Sequence, residues 1–510
     1  MIPPPRASEG SQRRREPDAE RLLREIERLQ RENGALREKA ERAAEKVAER
    51  DREIAEKDKQ IADLERQLAT RKQNSRNSSK PPSSDGLAGE SRVRGWHPGA
   101  KRSRKKPGGQ PGHPGHHRPQ VPAERVNEAH PVYPEQCAHC GHAFGQNEQP
   151  GSCDVHRHQV VEIPVVTAHI IEYQCHRLVC PQCHQGTRAP VPEQAKRQTG
   201  PQLTALVAYL TVTCRMPRRV LETVLEQVLG TVVSVGNLQT CWEEASEAVE
   251  EPCQQLERQL PREPVLNVDE TGWRTNGEKR YLWAFVAAGF VLYTIARTRG
   301  SELLIRLLGA VFEGILCSDR FSGYLKYHRG QAQFCWAHLK RNILGVLDFT
   351  KLTATERFCR DALAVHASLF RLWHKFRSGL IDRPELLCRS IRIQRRLLVL
   401  AEANLDNPDR QVQNLALALF EHGERLFAFL EHAGVEPTNN SAERALRTGV
   451  QWRKICFGNR SATGERATAR LLTVTQTCRL QGRSPLPYLA SAVANHRARQ
   501  APPSLIPSGR

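Results

Sequence analysis

Two groups of residues in this chain have types and spacings suited to chemistry. The first is a set of carboxylates. Val265-Leu266-Asn267-Val268-Asp269 reads as a short apolar strand that ends on an aspartate and then turns, and Gly314-Ile315-Leu316-Cys317-Ser318-Asp319 repeats the pattern. A buried strand end gives a carboxylate little freedom, which suits a site for hard, oxygen-ligated metal ions. A third acid, Glu443, lies in Pro437-Thr438-Asn439-Asn440-Ser441-Ala442-Glu443-Arg444, where a helix opens with Asn440 as the expected N-cap. Two readings of Glu443 stand there. It completes a capping box with Asn440, or it joins the two aspartates at a metal. The second group is thiols: Cys137-Ala138-His139-Cys140 and Cys180-Pro181-Gln182-Cys183 form paired CxxC knuckles. Two thiolates per tight turn supply two corners of a zinc tetrahedron, so Cys137, Cys140, Cys180 and Cys183 are the expected ligands of one structural zinc ion. Cys175 and His176 are close rivals for a corner.

These residues need elements to hold them. Asn276-Gly277 is a hairpin signal, followed by strands over Lys279–Ala287 and Phe290–Ile295. A helix follows, with Ser301 suited to cap it, and then the strand ending on Asp319. Three strands, a helix and a strand is the opening order of a ribonuclease H-like fold, which would set Asp269 beside Asp319. A fifth strand at Gln333-Phe334 runs into a helix carrying His338. The catalytic domain is expected in two parts, 263–346 and 436–480, divided by an all-helical insertion over 347–435.

Upstream, heptads over 20–71 place Ile26, Asn33, Ala40, Val47, Ile54, Ile61 and Leu68 in one core position, predicting a coiled coil for self-association. Residues 72–128 form a linker with no periodicity. Residues 129–192 read as a zinc ribbon, with strand-like runs at Gln159–Ile163 and Val165–Tyr173. Helical periodicity over 196–262 fits either a helix-turn-helix or a plain helical connector, with Gly230 as a stop. Residues 481–510 read as a C-terminal tail. The fold class is therefore multidomain α+β.

The charge balance points to a polyanionic partner. Among 510 residues, 76 Lys and Arg face 56 Asp and Glu, for a net charge of +20, and nucleic acid fits this better than an anionic membrane. The run Lys101, Arg102, Arg104, Lys105 and Lys106 would lie along phosphates or serve only as a solubilising linker. Fifteen cysteines with no apolar signal core near Met1 favour reduced thiols in a cytoplasmic setting. No apolar run is long enough to span a bilayer.

Several of these stretches together resemble transposases of insertion-sequence family sixty-six: the zipper-like first helix, NSSKPPSSD, GGQPGHPG, the CxxC pair, VDET around Asp269, CSDRFSGY around Asp319, CWAHLKR around His338, TNNSAERALR around Glu443, and KICFGNRSATG. The resemblance implies a bacterial DDE-type transposase with Asp269, Asp319 and Glu443 as catalytic triad. It would use two Mg²⁺ ions, with Mn²⁺ as a substitute, to cleave transposon ends and transfer the freed strands into target DNA, with accessory proteins of the same element as further partners. The enzyme would be nucleoid-associated when acting. Cys335-x-x-His338 recurs in related transposases, making His338 either an auxiliary catalytic residue or a packed histidine. Arg444, Arg447, Lys454 and Arg460 are candidates for holding the DNA backbone. Two alternatives stay open: a zinc-containing DNA-binding protein whose ribonuclease H-like domain is inactive, and a nuclease without strand transfer.

Overall fold

The computed structural model describes residues 16–72, 77–78, 119–145, 155–327, 330–350 and 352–507. The basic run at 101–106 and most of NSSKPPSSD and GGQPGHPG lie outside the described residues. The chain is a mixed α+β build of two compact units. One unit gathers residues 1–92, 339–364 and 403–415, and the other gathers 93–338, 365–402 and 416–510.

In the first unit, helix α1 (Glu16–Lys72) runs unbroken through the heptad region. Its core-position side chains Ile26, Leu29, Leu36, Val47 and Ile54 are exposed in the single chain. Asn77 donates from Nδ2 to Asp348 Oδ2 at 2.9 Å, and a Cβ on Gly345 would meet the Asn77 carbonyl oxygen at 2.5 Å.

The second unit begins with the knuckles. Each has the same backbone form. Cys137 N–H donates to His142 O and Gly141 N–H to Cys137 O, while Cys180 N–H donates to Gln185 O and His184 N–H to Cys180 O. The fifth residue of each turn is left-handed, Gly141 at φ 75° and His184 at φ 55°. A two-stranded hairpin, β1 (Arg177–Val179) with β2 (Gly186–Arg188), frames the second knuckle. The runs 159–163 and 165–173 are not strands: they have no ladder partner among the described residues, and Val160, Ile163, Val165, Ile170 and Ile171 are exposed. A run of β-branched residues makes a strand only where a neighbour supplies the hydrogen bonds.

Helices α2 (Pro201–Thr213), α3 (Arg218–Leu229), α4 (Val235–Ala248) and α5 (Glu250–Gln259) follow. Gly230 ends α3 in the left-handed conformation at φ 61°, the usual glycine helix stop. The central sheet has the order β5-β4-β3-β6-β7: β3 (Val265–Thr275), β4 (Glu278–Val286), β5 (Val291–Ala296), β6 (Ile315–Ser318) and β7 (Ala332–Phe334). β3 pairs antiparallel with β4 through a turn whose two central residues, Asn276 at φ 50° and Gly277 at φ 76°, are both left-handed, as a two-residue hairpin of the primed type requires. β6 joins the other side of β3 in parallel. Helices α6 (Ser301–Leu308) and α7 (Ser322–Tyr327) flank β6 in sequence. Gly300, not Ser301, is the N-cap of α6, and no side chain caps it.

Helix α8 (Trp336–Phe349) leads into α9 (Thr353–Arg377), α10 (Arg383–Glu402), α11 (Arg410–His422) and the short α12 (Ala428–Glu431). Then α13 (Asn440–Cys456) and α14 (Ala462–Leu480) return to the sheet. Threonines on α14 complete the free edge of β5: Thr477 Oγ1 accepts from Val291 N and donates to Val291 O, and Thr473 Oγ1 accepts from Tyr293 N. Covering a sheet edge in this way blocks pairing with another strand. A Cβ on Gly449 would lie 2.3 Å from Leu282 Cδ2, so that glycine lets α13 lie close on β4. The stretch expected as a C-terminal tail is instead packed on the fold over its described residues 481–507. Helix α15 (Pro485–Arg497) buries Tyr488, Leu489 and Val493 in the core. Its Arg497 grips Glu244 with Nε at 3.0 Å and Nη2 at 2.8 Å, and donates to Thr199 O at 2.7 Å.

Candidate active site

The register of β3 against β6 decides where the first two aspartates go. Asn267 is opposite Cys317, so two residues further along each strand Asp269 and Asp319 come into line on one face. β3 does not end at Asp269, as its apolar start suggests. It continues to Thr275 because β4 goes on pairing with it. What stops at this level is β6, and the carboxylates sit where the parallel ladder gives out. Asp269 Oδ1 accepts from Glu270 N at 3.0 Å, and Asp319 Oδ1 accepts from Phe321 N at 2.9 Å.

Glu443 is brought in by α13. The N-cap of that helix is Asn439, one residue earlier than expected, and its side chain makes no capping bond. Glu443 therefore lies a residue too far into the helix for a capping box, and that explanation of it is withdrawn. Asn439 is spent differently. Buried, it donates from Nδ2 to Val268 O at 2.8 Å, and its N–H donates to Cys335 Sγ at 3.1 Å. The start of α13 is thereby tied to β3 beside Asp269 and to the end of β7.

The charges of the other two acids are felt at Asp269. Asp269 is raised well above the ordinary carboxylate range, first by desolvation and then by the negative charges of Glu270, Asp319 and Glu443. Like charges crowded in a desolvated site hold protons unless a cation replaces them. Glu270 is the member that sequence reasoning passed over. It points to the opposite face of β3 from Asp269 and is met there by Arg299 Nε at 2.5 Å and by the Tyr324 hydroxyl. Burial raises it, while Tyr324 and Arg299 pull it down. Arg299 also lies over the Phe321 ring at 3.9 Å. No local motif marks these partners, since they come from three separate elements.

His338, on the first turn of α8, places Nδ1 3.5 Å from Glu443 Oε1. Among the described residues one trio of metal-competent side chains gathers its ligand atoms within 4.8 Å: Cys335, His338 and Glu443. The four knuckle cysteines do not form such a group, although each pair closes on itself. The Cys137 thiol is lowered by the backbone N–H groups of His139 and Cys140, and the Cys180 thiol by those of Cys183 and Gln182. Cys175 Sγ points to Pro190 O at 3.9 Å.

The candidate DNA contacts divide. Arg444, Arg447 and Lys454 lie on the exposed face of α13, and Arg460 is exposed in the loop after it. That loop is itself anchored. Asn459 exchanges backbone bonds with Arg274 O and Asn276 N, accepts from Trp273 Nε1 at 2.7 Å, and donates to Thr468 Oγ1 at 2.9 Å. Gly458, at φ 115°, has no room for a Cβ, which would fall 2.2 Å from Arg274 O. The family-like KICFGNRSATG wording thus has a physical role: it fastens the far end of β3.

Comparison with known proteins adds the following. The model described as the transposase IS66 family matches residues 196–467, a span holding Asp269, Asp319, His338 and Glu443 and leaving the knuckles outside. A family of unknown function matches residues 13–119. An uncharacterized protein, y4qI, of Sinorhizobium fredii is 27% identical over 239 residues, covering 42% of this chain and 43% of that protein. A second uncharacterized protein of the same organism, y4jD, is 26% identical over 225 residues, covering 41% and 43%. The chain spans under half the length of either relative. No helix among the described residues is long and apolar enough to cross a membrane.

Proposed function

The chain belongs to the IS66 family of transposases, and from that premise we propose that it is a DDE enzyme whose triad is Asp269, Asp319 and Glu443. The observation that carries the reading is that Asp269 feels the negative charges of both Asp319 and Glu443, which help to raise its carboxyl. The sheet order, with the first and fourth strands adjacent, supports a ribonuclease H-like catalytic domain interrupted by a helical insertion.

The donor set fits magnesium, with manganese as substitute: all three ligands are oxygens, and their repulsion is what a divalent cation relieves. When bound, a pair of such ions supplies Lewis acidity at the attacking and leaving oxygens of a phosphodiester. The chain's own residues do the rest. The β3–β6 register fixes Asp269 against Asp319, and Asn439 fixes the helix that carries Glu443. Arg299 and Tyr324 satisfy Glu270, so a fourth carboxylate does not compete for the cluster. Arg444, Arg447, Lys454 and Arg460 hold the DNA backbone without reading sequence, and the basic run at 101–106 adds phosphate contacts. The reaction is hydrolysis at transposon ends to free 3′-hydroxyls, then transesterification into target DNA. The zipper face of α1 is read as a self-association surface. The thiol-lowering turns of both knuckles fit zinc, which the ribbon would hold with Cys137, Cys140, Cys180 and Cys183. Helices α2 to α4 are read as engaging the element ends.

Purified protein, Mg²⁺ and a duplex carrying the sequences that flank its reading frame test this. Wild type is expected to give cut and joined products, and Asp269→Asn and Glu443→Gln neither. Equal behaviour of wild type and Asp269→Asn would refute the enzymatic reading, and cutting without joining would reduce the protein to a nuclease.

A further inference from the structure

Three places in this chain share one local device. At Cys137 and at Cys180 the thiol receives backbone N–H groups from the second and third residues after it. Cys335 does the same, with Ala337 and His338 in those positions, and it gains a further N–H from Asn439 across the fold. Such N–H groups steady a thiolate and are typical surroundings of a metal-bound cysteine. At the knuckles the sequence advertises this as CxxC. At Cys335 it is CxxH, placed where β7 turns into α8.

A cysteine at the start of a helix has an ordinary explanation, since its sulfur accepts N–H groups left over by the first turn. That explanation covers Cys335 alone. It does not account for His338 and Glu443 bringing their ligand atoms within 4.8 Å of the same sulfur. The three come from the β7–α8 turn, the first turn of α8 and the first turn of α13, and the Asn439–Cys335 bond holds the third against the other two.

We propose that Cys335, His338 and Glu443 form a second metal site, for a borderline-soft divalent cation such as Zn²⁺, that withdraws Glu443 from the carboxylate cluster when filled. A thiolate, an imidazole and a carboxylate are a zinc donor set, and three protein ligands leave a fourth position for water. Magnesium has little affinity for sulfur or imidazole, so the two sites choose different ions and share one residue. Cysteine binds such an ion as the thiolate, so the metal must displace the Cys335 proton. The His338–Glu443 contact at 3.5 Å gives way to two bonds to the ion. Occupancy by zinc would leave Asp269 and Asp319 without their third partner. The inhibitory part of this inference rests on Glu443 belonging to the proposed triad, whereas the site itself does not.

Metal-stripped, reduced full-length protein titrated with Co²⁺ tests the site without any DNA. Wild type should take up one more equivalent than Cys335→Ser or His338→Ala, with a matching loss of sulfur-to-cobalt charge-transfer absorption. Cys137→Ser combined with Cys180→Ser should keep that equivalent, and so should Asp269→Asn. Equal cobalt uptake by wild type, Cys335→Ser and His338→Ala would overturn the proposal. Two variants are used so that misfolding of one, seen by circular dichroism, leaves the other to decide. In the second arm, Zn²⁺ added at fixed Mg²⁺ should inhibit DNA cleavage by wild type and should inhibit His338→Ala less. Equal inhibition of both would overturn the shared use of Glu443. A wild type with no cleavage at all would count against the enzymatic reading, while the cobalt count still decides the site.

Discussion

Asn439 offers the sharpest test of how this fold places Glu443. β6 stops pairing with β3 at Asn267, so the Val268 carbonyl faces a ladder with no next rung. The Asn439 amide fills that position at 2.8 Å, with the side chain only 1% exposed. Asn439→Ala removes the donor and strands a buried carbonyl. Losing one such hydrogen bond costs about 1–3 kcal/mol, which corresponds to a fall in Tm of roughly 2–12 °C at about 2–4 °C per kcal/mol for a domain of this class. The effect on chemistry should be larger than the effect on stability. Glu443 sits one helical turn beyond Asn439, and a misplacement of about 1 Å in a catalytic group costs on the order of 10²-fold in rate. Single-turnover cleavage of end-containing DNA with Mg²⁺, measured beside metal-free DNA binding, separates the two. Cleavage should fall about 100-fold while binding stays within about threefold. A variant that loses stability yet cleaves within about threefold of wild type would refute the idea that this bond sets the position of Glu443.

Two further predictions concern pH and the C-terminal helix. Asp269 titrates above its ordinary range, so the folded state holds that proton more tightly than the unfolded chain does. The stability it contributes is fully present below the unfolded carboxylate pKa, about 3.9, and is lost as pH rises through the raised folded value. Thermal melts should show Mg²⁺ stabilising the protein increasingly as pH rises through that window, and a pH-independent Mg²⁺ effect would contradict the account. Arg497→Ala should leave the buried Glu244 carboxylate with Arg197, at 3.7 Å, as its ion-pair partner among the described residues. The cost should lie near the low end of the roughly 3–5 kcal/mol for breaking a buried pair, read by denaturant unfolding, and an unchanged midpoint would show that the C-terminal helix is not clasped.

Much of the framework around the candidate site was legible because it follows from local pattern. Apolar runs closing on Asp269 and Asp319, and an Asn-Gly turn between strands, are signals carried by neighbouring residues. Their limits are local too. Polar Thr271, Arg274 and Thr275 made β3 look finished at Asp269, although the turn at Asn276-Gly277 implies a strand running up to it. Of two adjacent asparagines the sequence favours Asn440 as the N-cap of α13, whereas Asn439 holds that place, and the difference of one residue takes Glu443 out of capping-box register. Val160 to Ile171 is rich in β-branched residues, as strands are, but composition does not supply a partner. Glu270 with Arg299 and Tyr324, and the Cys335–Asn439 bond, join residues far apart in the chain, so no window of sequence displays them.

One feature of the fold bears on how this architecture can vary. Trp336 N–H donates to Pro437 O at 3.0 Å, and the Asn439–Cys335 bond lies beside it, so the departure and return of the helical insertion are clipped together. The cost of closing a loop grows only with the logarithm of its length, about 0.6 kcal/mol per doubling. With the ends fastened at this clip, the insertion can change length at small entropic cost away from Leu426 and Phe429, whose backbone bonds to Gln333 and Trp336 belong to the sheet's own packing. The fixed quantity is the gap its ends must span.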